Sequence, residues 1–366
     1  MSGMHEATAA ELADWDRRTV DCPGGHIYQS RAWGEYQAGL GWRPRFLVDG
    51  DGPGILALER PWPWIGGGSA YLSRGPVPAG DALEVTVERL ARATRWLVGQ
   101  GIDVVATDAE VPADTRYPGL LQEAGFQPIE EIQPSRHRMR IELAGRPEAD
   151  VMADVGRSTR QRIQQAERSG IEVAVYGGAV AVAAAAPKAP AAQEALDEFY
   201  DLLLATGERR HFRFGPRGEL VGWWLAALAA GHLVYLAARS GPGPSLAGLI
   251  LHRHGGRLST VHSADRAETR HDHPGALHLL RWRAVQMAVA TNCSEMDLGG
   301  VDVAGARRIP REGEPMRGLY DHKRGFGARW VEMTGAHEHV ARPARYLAGR
   351  VAVQLARRVA RARRVR

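Results

Sequence analysis

The order of strand-forming and helical segments constrains this fold more than any other feature, because the same order occurs twice along the chain. In the second half, alternating or continuous apolar runs at residues 233–239, 245–254 and 257–263 predict a three-strand meander. A helix follows at residues 277–291, and a short strand at residues 295–299. A meander followed by a helix and a further strand indicates a mixed α/β layer.

The first half of the chain has the same outline. A hairpin is predicted over residues 45–58, an amphipathic helix over residues 81–99 and a buried strand over residues 102–107. A chain of 366 residues also exceeds the usual limit for one hydrophobic core. The sequence therefore predicts two related domains of the α/β (α+β) class, and this order of elements is the one expected of a GNAT-like acyltransferase core.

We place the domain boundaries where the pattern starts again. The first domain is predicted to span residues 1–145 and to be completed by residues 331–341, and the second to span residues 146–330. Residues 342–366 form a separate C-terminal segment with helical composition. No apolar run in the chain reaches the length that a bilayer crossing requires.

Cysteine usage and the N-terminal sequence favour a cytoplasmic location. Cys22 and Cys293 are the only cysteines, and they form no CxxC spacing for zinc or redox chemistry. The first residues, MSGMHEATAAELADWD, are polar and acidic, unlike a secretory signal. We expect a cytoplasmic protein that works in a reducing environment.

Lysine is almost absent from this chain. Of 47 basic residues only Lys188 and Lys323 are lysines, and Lys188 lies in an Ala/Pro run that suggests no role. Lys323 lies in the stretch GLYDHKRGFG, residues 318–327, whose glycines predict a tight backbone path beside it. A lysine retained among arginines indicates a place that needs a compact ammonium group. The alternative is chance survival in an ordinary basic turn.

The basic character of the chain is concentrated in its C-terminal segment. Residues 342–366 hold nine arginines and no acidic residue, so without them the formal net charge of +5 becomes negative. At 100° per residue, Leu347, Val351, Leu355 and Val359 form one stripe, while Arg350, Arg357, Arg361 and Arg364 gather opposite. Such a helix either lies on an anionic membrane surface or packs its stripe on the protein body with solvated arginines.

Seven segments together resemble the FemABX family of non-ribosomal peptidyltransferases. They occur in the family's order over almost the whole chain: QSRAWGEY (29–36), AYLSRGPV (70–77), RSTRQRIQQAERSGIEV (157–173), HSAD (262–265), PGALHLLRWRAVQMA (274–288), MDLGGV (296–301) and GLYDHKRGFG (318–327). The resemblance implies two tandem GNAT-like domains. The interval between residues 194 and 231 has no room for the long helical arm of some members, so the chain is similar to the compact type.

The resemblance also implies a function. The chain would take an amino acid from aminoacyl-tRNA and attach it to an amine on the stem peptide of a peptidoglycan precursor, with no cofactor besides that co-substrate. The expected partners are aminoacyl-tRNA and lipid II or the nucleotide-linked precursor, with the basic tail at the inner face of the cytoplasmic membrane. Lys323 matches the family's lysine that stabilises the oxyanion, and a placed cation suits that chemistry.

Six further residues are candidates for substrate binding. Gln29 and Trp33 belong to the first motif, and Arg74, Arg160 and Arg213 suit phosphate or carboxylate groups because arginine binds such groups bidentately. His262 lies where the family has a tyrosine, and either ring can donate a hydrogen bond. The family's lysine after the first tryptophan is replaced here by Glu35 or Gln37, so recognition of the nucleotide-linked precursor differs at that position.

Three alternative interpretations remain open from the residues alone. His252-Arg253-His254 and His271-Asp272-His273 suggest a metal site, although no third and fourth ligands are evident. A GNAT N-acyltransferase using acyl-CoA would need a glycine-containing phosphate loop before a helix, whereas HKRGFG precedes a predicted strand at residues 330–334. A non-catalytic scaffold that binds membrane or RNA through the basic tail is the third.

Overall fold

A computed structural model describes residues 3–133, 135–178, 191–210, 214–301 and 308–364. Lys188 and the predicted site residue Arg213 lie outside the described residues. The chain divides into two compact units, the first formed by Met1–Arg136 with Glu332–Arg366 and the second by His137–Val331. We describe each unit separately.

The first unit is built on a seven-stranded sheet with the order β1-β2-β3-β4-β5-β14-β6. Its strands are β1 (Met4–Glu6), β2 (Arg43–Asp49), β3 (Ile55–Pro61), β4 (Gly68–Leu72), β5 (Val104–Thr107), β6 (Gln127–Pro128) and β14 (His337–Val340). Strands β4 and β5 are parallel, and β14 pairs antiparallel with both β5 and β6. The segment after the second unit therefore completes the first sheet.

Side chains cap the start of three helical segments of the first unit, namely Thr8, His26 and Ser30. The helices of this unit are α1 (Ala9–Ala13), α2 (Trp15–Thr19), a 3₁₀ turn (Ile27–Gln29), α3 (Arg31–Gly39), α4 (Leu83–Gly99), α5 (Tyr117–Glu123) and α12 (Pro343–Arg364). The Ser30 hydroxyl accepts a hydrogen bond from the Trp33 amide at 3.0 Å and so fixes the start of α3. Helix α4 connects the parallel strands β4 and β5, and its Val87, Leu90 and Leu97 are buried in the core of the unit.

The second unit repeats this plan with the strand order β13-β7-β12-β11-β10-β9-β8. Its strands are β7 (Arg138–Glu142), β8 (Glu172–Tyr176), β9 (Leu233–Arg239), β10 (Ala247–His254), β11 (Arg257–Asp265), β12 (Glu295–Asp297) and β13 (Arg329–Val331). The predicted meander is β9-β10-β11, and β11 is parallel to β12. Strand β7 pairs with β12 and β13 in this sheet, whereas the sequence-based boundary at residue 145 assigned it to the first domain.

Helices cover both faces of the second sheet. They are α6 (Glu148–Asp154), α7 (Arg157–Arg168), α8 (Ala192–Arg210), α9 (Arg217–Ala229), α10 (Ala276–Ala290) and α11 (Arg317–Arg324). Buried residues of α7 and α10, including Ile163 and Leu279, pack in the main core of this unit. On the other face, Phe199 of α8 and Trp224 of α9 are buried and in ring contact. The predicted mixed α/β class with two related halves is confirmed.

Two local predictions in this unit were wrong. The sequence of residues 146–170 predicts a helix closed by Gly170, whereas the structure has two helices, α6 and α7, because Val155 and Gly156 adopt extended backbone conformations. The lysine stretch forms helix α11 up to Arg324 instead of a loop. Gly325 is required by close packing on α7, since a Cβ atom there would lie 2.5 Å from the Thr159 hydroxyl oxygen.

Candidate active site

The candidate site lies at the carboxyl ends of the parallel strands β11 and β12. Helix α10 connects these two strands, and ligands of α/β sheets commonly bind beyond the carboxyl ends of parallel strands. Strand β12 ends at Asp297, while β11 continues to Asp265. The sheet therefore leaves a recess after β12, and the side chain of Lys323 enters it from α11.

Lys323 is a buried cation at the end of a helix. Its side chain is 4% exposed, and its Nζ atom donates a hydrogen bond to the Gly300 carbonyl oxygen at 2.9 Å. Burial lowers the pKa of Lys323 to about 7, and the positive charges of Arg281 and Arg138 act in the same direction, against the carboxylate of Asp297. An ammonium group has three donors, so two remain for a ligand beside the Gly300 carbonyl.

The loop after β12 requires glycine beside the lysine. Gly299 has a φ of +76°, and a Cβ atom there would lie 3.4 Å from Lys323 Nζ and 3.3 Å from the Thr260 carbonyl oxygen. The Asp297 carboxylate accepts a hydrogen bond from the Gly299 amide at 2.7 Å, and its second oxygen lies 3.4 Å from Arg138 Nε. These contacts hold the backbone against the ammonium group.

A cavity of about 780 Å³ lies in the same unit; Lys323 is not among its lining residues, which include four arginines and one aspartate among mostly uncharged side chains. His322, which precedes Lys323 on α11, lines the cavity together with His278 and Arg281 of α10 and Arg162 of α7. Arg281 is buried, and it donates a hydrogen bond to the Ser263 hydroxyl at 3.3 Å. A cavity of this size and charge suits a ligand that carries phosphate or carboxylate groups.

Two of the three histidines that line the cavity, His278 and His322, have lowered pKa values. Their rings meet edge to face with centroids 4.5 Å apart. Burial, with smaller effects from nearby arginines, lowers the pKa of His278 to about 4 and the pKa of His322 to about 2. Within the part of the chain that the structure describes, the buried Nε2 atom of His322 has no hydrogen-bond partner. It can therefore donate to or accept from a ligand, according to its tautomer.

The N-terminus of α10 faces the same cavity. Gly275 precedes the helix with a φ of +87°, and a Cβ atom there would lie 2.4 Å from the Arg162 carbonyl oxygen, so only glycine fits. No side chain caps this helix, no acid stands in its first turn, and Gly275, Ala276 and Leu277 line the cavity. The free amides and the helix dipole add to the attraction for an anionic ligand.

Two predicted binding residues of the first unit make internal contacts. The Gln29 side chain bridges strands: Nε2 donates to the carbonyl oxygens of Ser73 at 2.8 Å and Leu56 at 3.2 Å, and Oε1 accepts from the Leu56 amide at 2.8 Å. Arg74 is 5% exposed and lies 3.4 Å from a carboxylate oxygen of the buried Asp108. Their role in substrate binding stays a prediction.

Trp33 lines a second cavity, which lies within the first unit. This cavity has a volume of about 410 Å³, and its wall includes the rings of Trp42, Trp62, Tyr71 and Tyr346. The Trp33 ring also stacks on Tyr28, with centroids 4.1 Å apart. An aromatic wall of this kind can accept the flat or apolar part of a ligand. The predicted substrate-binding role of Trp33 therefore concerns this cavity.

The remaining predicted residues lie away from the basic cavity of the second unit. His262 is in contact with Trp224 and Phe214, on the sheet face opposite to that of the neighbouring Ser263, and burial lowers its pKa to about 4. The Arg160 guanidinium donates to the carbonyl oxygens of Met152 and Ala153 at the end of α6. Both roles stay predictions.

Sequence reasoning did not select Arg281, His278 or His322. A signal was present, since His278 and Arg281 are the first polar residues of an otherwise apolar helix start and are three positions apart, on one helical face. Recognising them required knowledge that this face meets α11. In the described part of the chain, His, Cys, Asp and Glu form no group of three that could hold a metal ion.

Comparison with known proteins identifies the type of domain that the second unit contains. Residues 157–324 match the family model described as "Acetyltransferase (GNAT) domain". The match covers less than half of the chain and lies within the second unit, and it confirms the prediction that the protein is an enzyme of the acyltransferase type. A search of curated protein sequences gave no match.

The fold of the chain is similar to that of FemX. The crystal structure of FemX aligns with a TM-score of 0.76 and 17% identity over 95% of this chain and 100% of that chain. L-PGS from Bacillus licheniformis aligns with a TM-score of 0.54 and 12% identity over 99% of each chain. A conserved protein of unknown function from Bacteroides thetaiotaomicron gives 0.53, with 13% identity over 92% of this chain and 99% of that chain. The resemblance to the FemABX family is thereby confirmed in fold.

Proposed function

We propose that this chain transfers an amino acid from aminoacyl-tRNA to an amine on the stem peptide of a peptidoglycan precursor. The observation that carries the proposal is the buried Lys323 ammonium; the preceding residue His322 and the nearby Arg281 line a cavity that holds four arginines. The FemABX resemblance supports the substrates, because Lys323 occupies the position of that family's lysine. The GNAT class and the fold of FemX support group transfer to an amine.

In this proposal the basic cavity of the second unit binds the donor. Arg162, Arg281 and the N-terminus of α10 attract the phosphates of the tRNA 3′ end, and the neutral His278 and His322 offer hydrogen bonds without adding charge. The aminoacyl ester then lies towards the carboxyl end of β12. Trp33 and its aromatic cavity in the first unit are proposed for the acceptor.

The chemistry needs a cation more than a nucleophile. The acceptor amine attacks the ester carbonyl, a C–N bond forms, and the bond from the carbonyl carbon to the ribose oxygen breaks as one amine proton passes to that leaving oxygen, which becomes a free hydroxyl. The tetrahedral intermediate carries an oxyanion, which the free donors of Lys323 stabilise. This role requires protonated Lys323. Because the pKa of Lys323 is about 7, the protonated fraction, and with it the stabilisation of the oxyanion, falls as the pH rises above 7.

The second candidate is an N-acyltransferase that uses acyl-CoA. The observation that favours it is the uncapped N-terminus of α10, which can bind phosphate groups. From the sequence alone, such a helix N-terminus was considered only in the segment that follows Lys323. Incubating the protein with lipid II and either charged tRNA pools or acetyl-CoA, followed by mass spectrometry of the lipid product, separates the two. An added aminoacyl mass with tRNA supports our proposal; an added acetyl mass with acetyl-CoA alone contradicts it.

A further inference from the structure

Helix α12 is attached to the first unit through one narrow face. Gly349 and Ala352 are buried there, and a Cβ atom on Gly349 would lie 2.3 Å from the ring of Trp62. The Tyr346 hydroxyl donates to the Glu338 carboxylate at 2.9 Å. These small residues and this hydrogen bond fix which side of the helix faces the protein.

The apolar stripe of α12 points away from that face. Leu347, Val351, Leu355 and Val359 recur every fourth residue and are 62%, 56%, 48% and 47% exposed. Of the two alternatives for this helix, the structure does not show the one in which the stripe packs on the protein body. In the described part of the chain, most of the other large apolar side chains are buried, so this row of four is an interaction surface without a partner.

Exposed arginines flank the stripe. At 100° per residue, Arg350 and Arg357 lie beyond one edge of the stripe and Arg358 lies within it, and all three are exposed. Arg345 lies near the protein-facing side, with its Nε atom 3.6 Å from a carboxylate oxygen of Asp103. No acidic residue occurs in the helix. A partner must therefore offer apolar material for the stripe and negative charge for Arg350, Arg357 and Arg358.

A second exposed apolar group lies next to the start of α12. Trp64 is 73% exposed and Ile65 41%, in the turn between β3 and β4. This turn contacts the helix, since a Cβ atom on Gly67 would lie 2.8 Å from Arg345 Cδ. Tryptophan is enriched where membranes meet water, because its ring has both an apolar body and a polar N–H group.

We propose that α12, with the Trp64 turn beside it, binds the surface of an anionic lipid bilayer. The helix lies in the plane of the interface, its leucines and valines enter the acyl boundary, and its arginines contact acidic headgroups. An RNA would use the arginines but leave the stripe in water. A second copy of the chain would cover the stripe but bring arginine rows of like charge together.

Co-sedimentation with vesicles tests this proposal on the full chain. The vesicles contain either phosphatidylcholine alone or phosphatidylcholine with phosphatidylglycerol. One variant, Leu347→Ser/Val351→Ser/Leu355→Ser, removes the stripe at constant charge, and another, Arg350→Gln/Arg357→Gln/Arg358→Gln, removes charge at constant apolarity. Gln354→Ser, at an exposed polar position of the same helix, is the control. Circular dichroism checks that all four proteins are folded to the same extent.

We expect the wild type and the control to bind only the anionic vesicles. Each triple variant should bind them roughly 100-fold more weakly, given the transfer free energies of such side chains. Absence of vesicle binding, or equal binding to both lipid compositions, overturns the proposal. Loss in the arginine variant alone indicates a polyanion such as RNA and also overturns it. Dimerisation without lipid that the serine variant abolishes assigns the stripe to a second copy and overturns it as well.

Discussion

Replacing Lys323 by methionine should change how the stability of the protein depends on pH. Methionine keeps a long unbranched stem in the recess but carries no charge. In the wild type, burial lowers the pKa of Lys323 from 10.5 to about 7. The folded protein therefore binds this proton more weakly than the unfolded chain does, and the variant lacks that difference.

The size and sign of the effect follow from linkage. Below pH 7 both states are protonated, and the folded state carries the full cost of the buried charge. Between pH 7 and 10.5 only the unfolded chain holds the proton, so the wild type gains stability as the pH rises, by at most 1.36 kcal/mol per pH unit. Between pH 7 and 9 this gain amounts to about 2 kcal/mol relative to the methionine variant.

Urea unfolding at pH 6, 7 and 9 measures this difference. The wild type, Lys323→Met and Lys188→Met are compared, the last being the control because it removes the only other lysine of the chain. At pH 6 we expect the free energy of unfolding of Lys323→Met to be equal to or greater than that of the wild type. By pH 9 the free energy of unfolding of the variant should no longer exceed that of the wild type. A difference that stays constant across this range would refute the account of Lys323 as a buried, desolvated cation.

Three other predictions concern the surroundings of the site. Arg281→Met should raise the pKa of Lys323, so that the stability begins to rise at a higher pH than in the wild type, which the same urea series detects. Gly299→Ala should lower the free energy of unfolding by roughly 1–2 kcal/mol because of the positive φ, measured by denaturation at one pH. Gln29→Ala should lower it by roughly 2–4 kcal/mol through the loss of three buried hydrogen bonds to the main chain; a folded variant with a raised KM for the acceptor would instead show a direct binding role.

Local patterns were sufficient to predict most elements of the fold. The meander β9-β10-β11, helix α10 and the Ser30 cap of α3 are set by residues close in sequence, so periodicity and capping identify them. Strand β7 was assigned to the wrong sheet because its partners β12 and β13 lie far away along the chain. Strand β14 was not predicted, since its four residues, HEHV, show no strand pattern of their own.

The site was only partly predictable for the same reason. Lys323 could be selected because composition alone sets it apart. Its pKa depends on Arg281, Arg138 and Asp297, which three different elements bring together, and no local signal predicts that arrangement. The C-terminal helix α12 is a further example. Its amphipathic sequence pattern is the same whether the apolar stripe is covered or exposed, and only the packing at Gly349 decides which side of the helix faces the protein.

The most direct test of the central claim is the rate of amino-acid transfer from charged tRNA to lipid II in single turnovers at pH 7. We compare the wild type with Lys323→Met, and use Lys188→Met as the matched control. The account predicts that Lys323→Met is slower by roughly 100-fold or more, as expected for loss of an oxyanion donor, while the control keeps the wild-type rate. A Lys323→Met protein that is folded and transfers at the wild-type rate would contradict it.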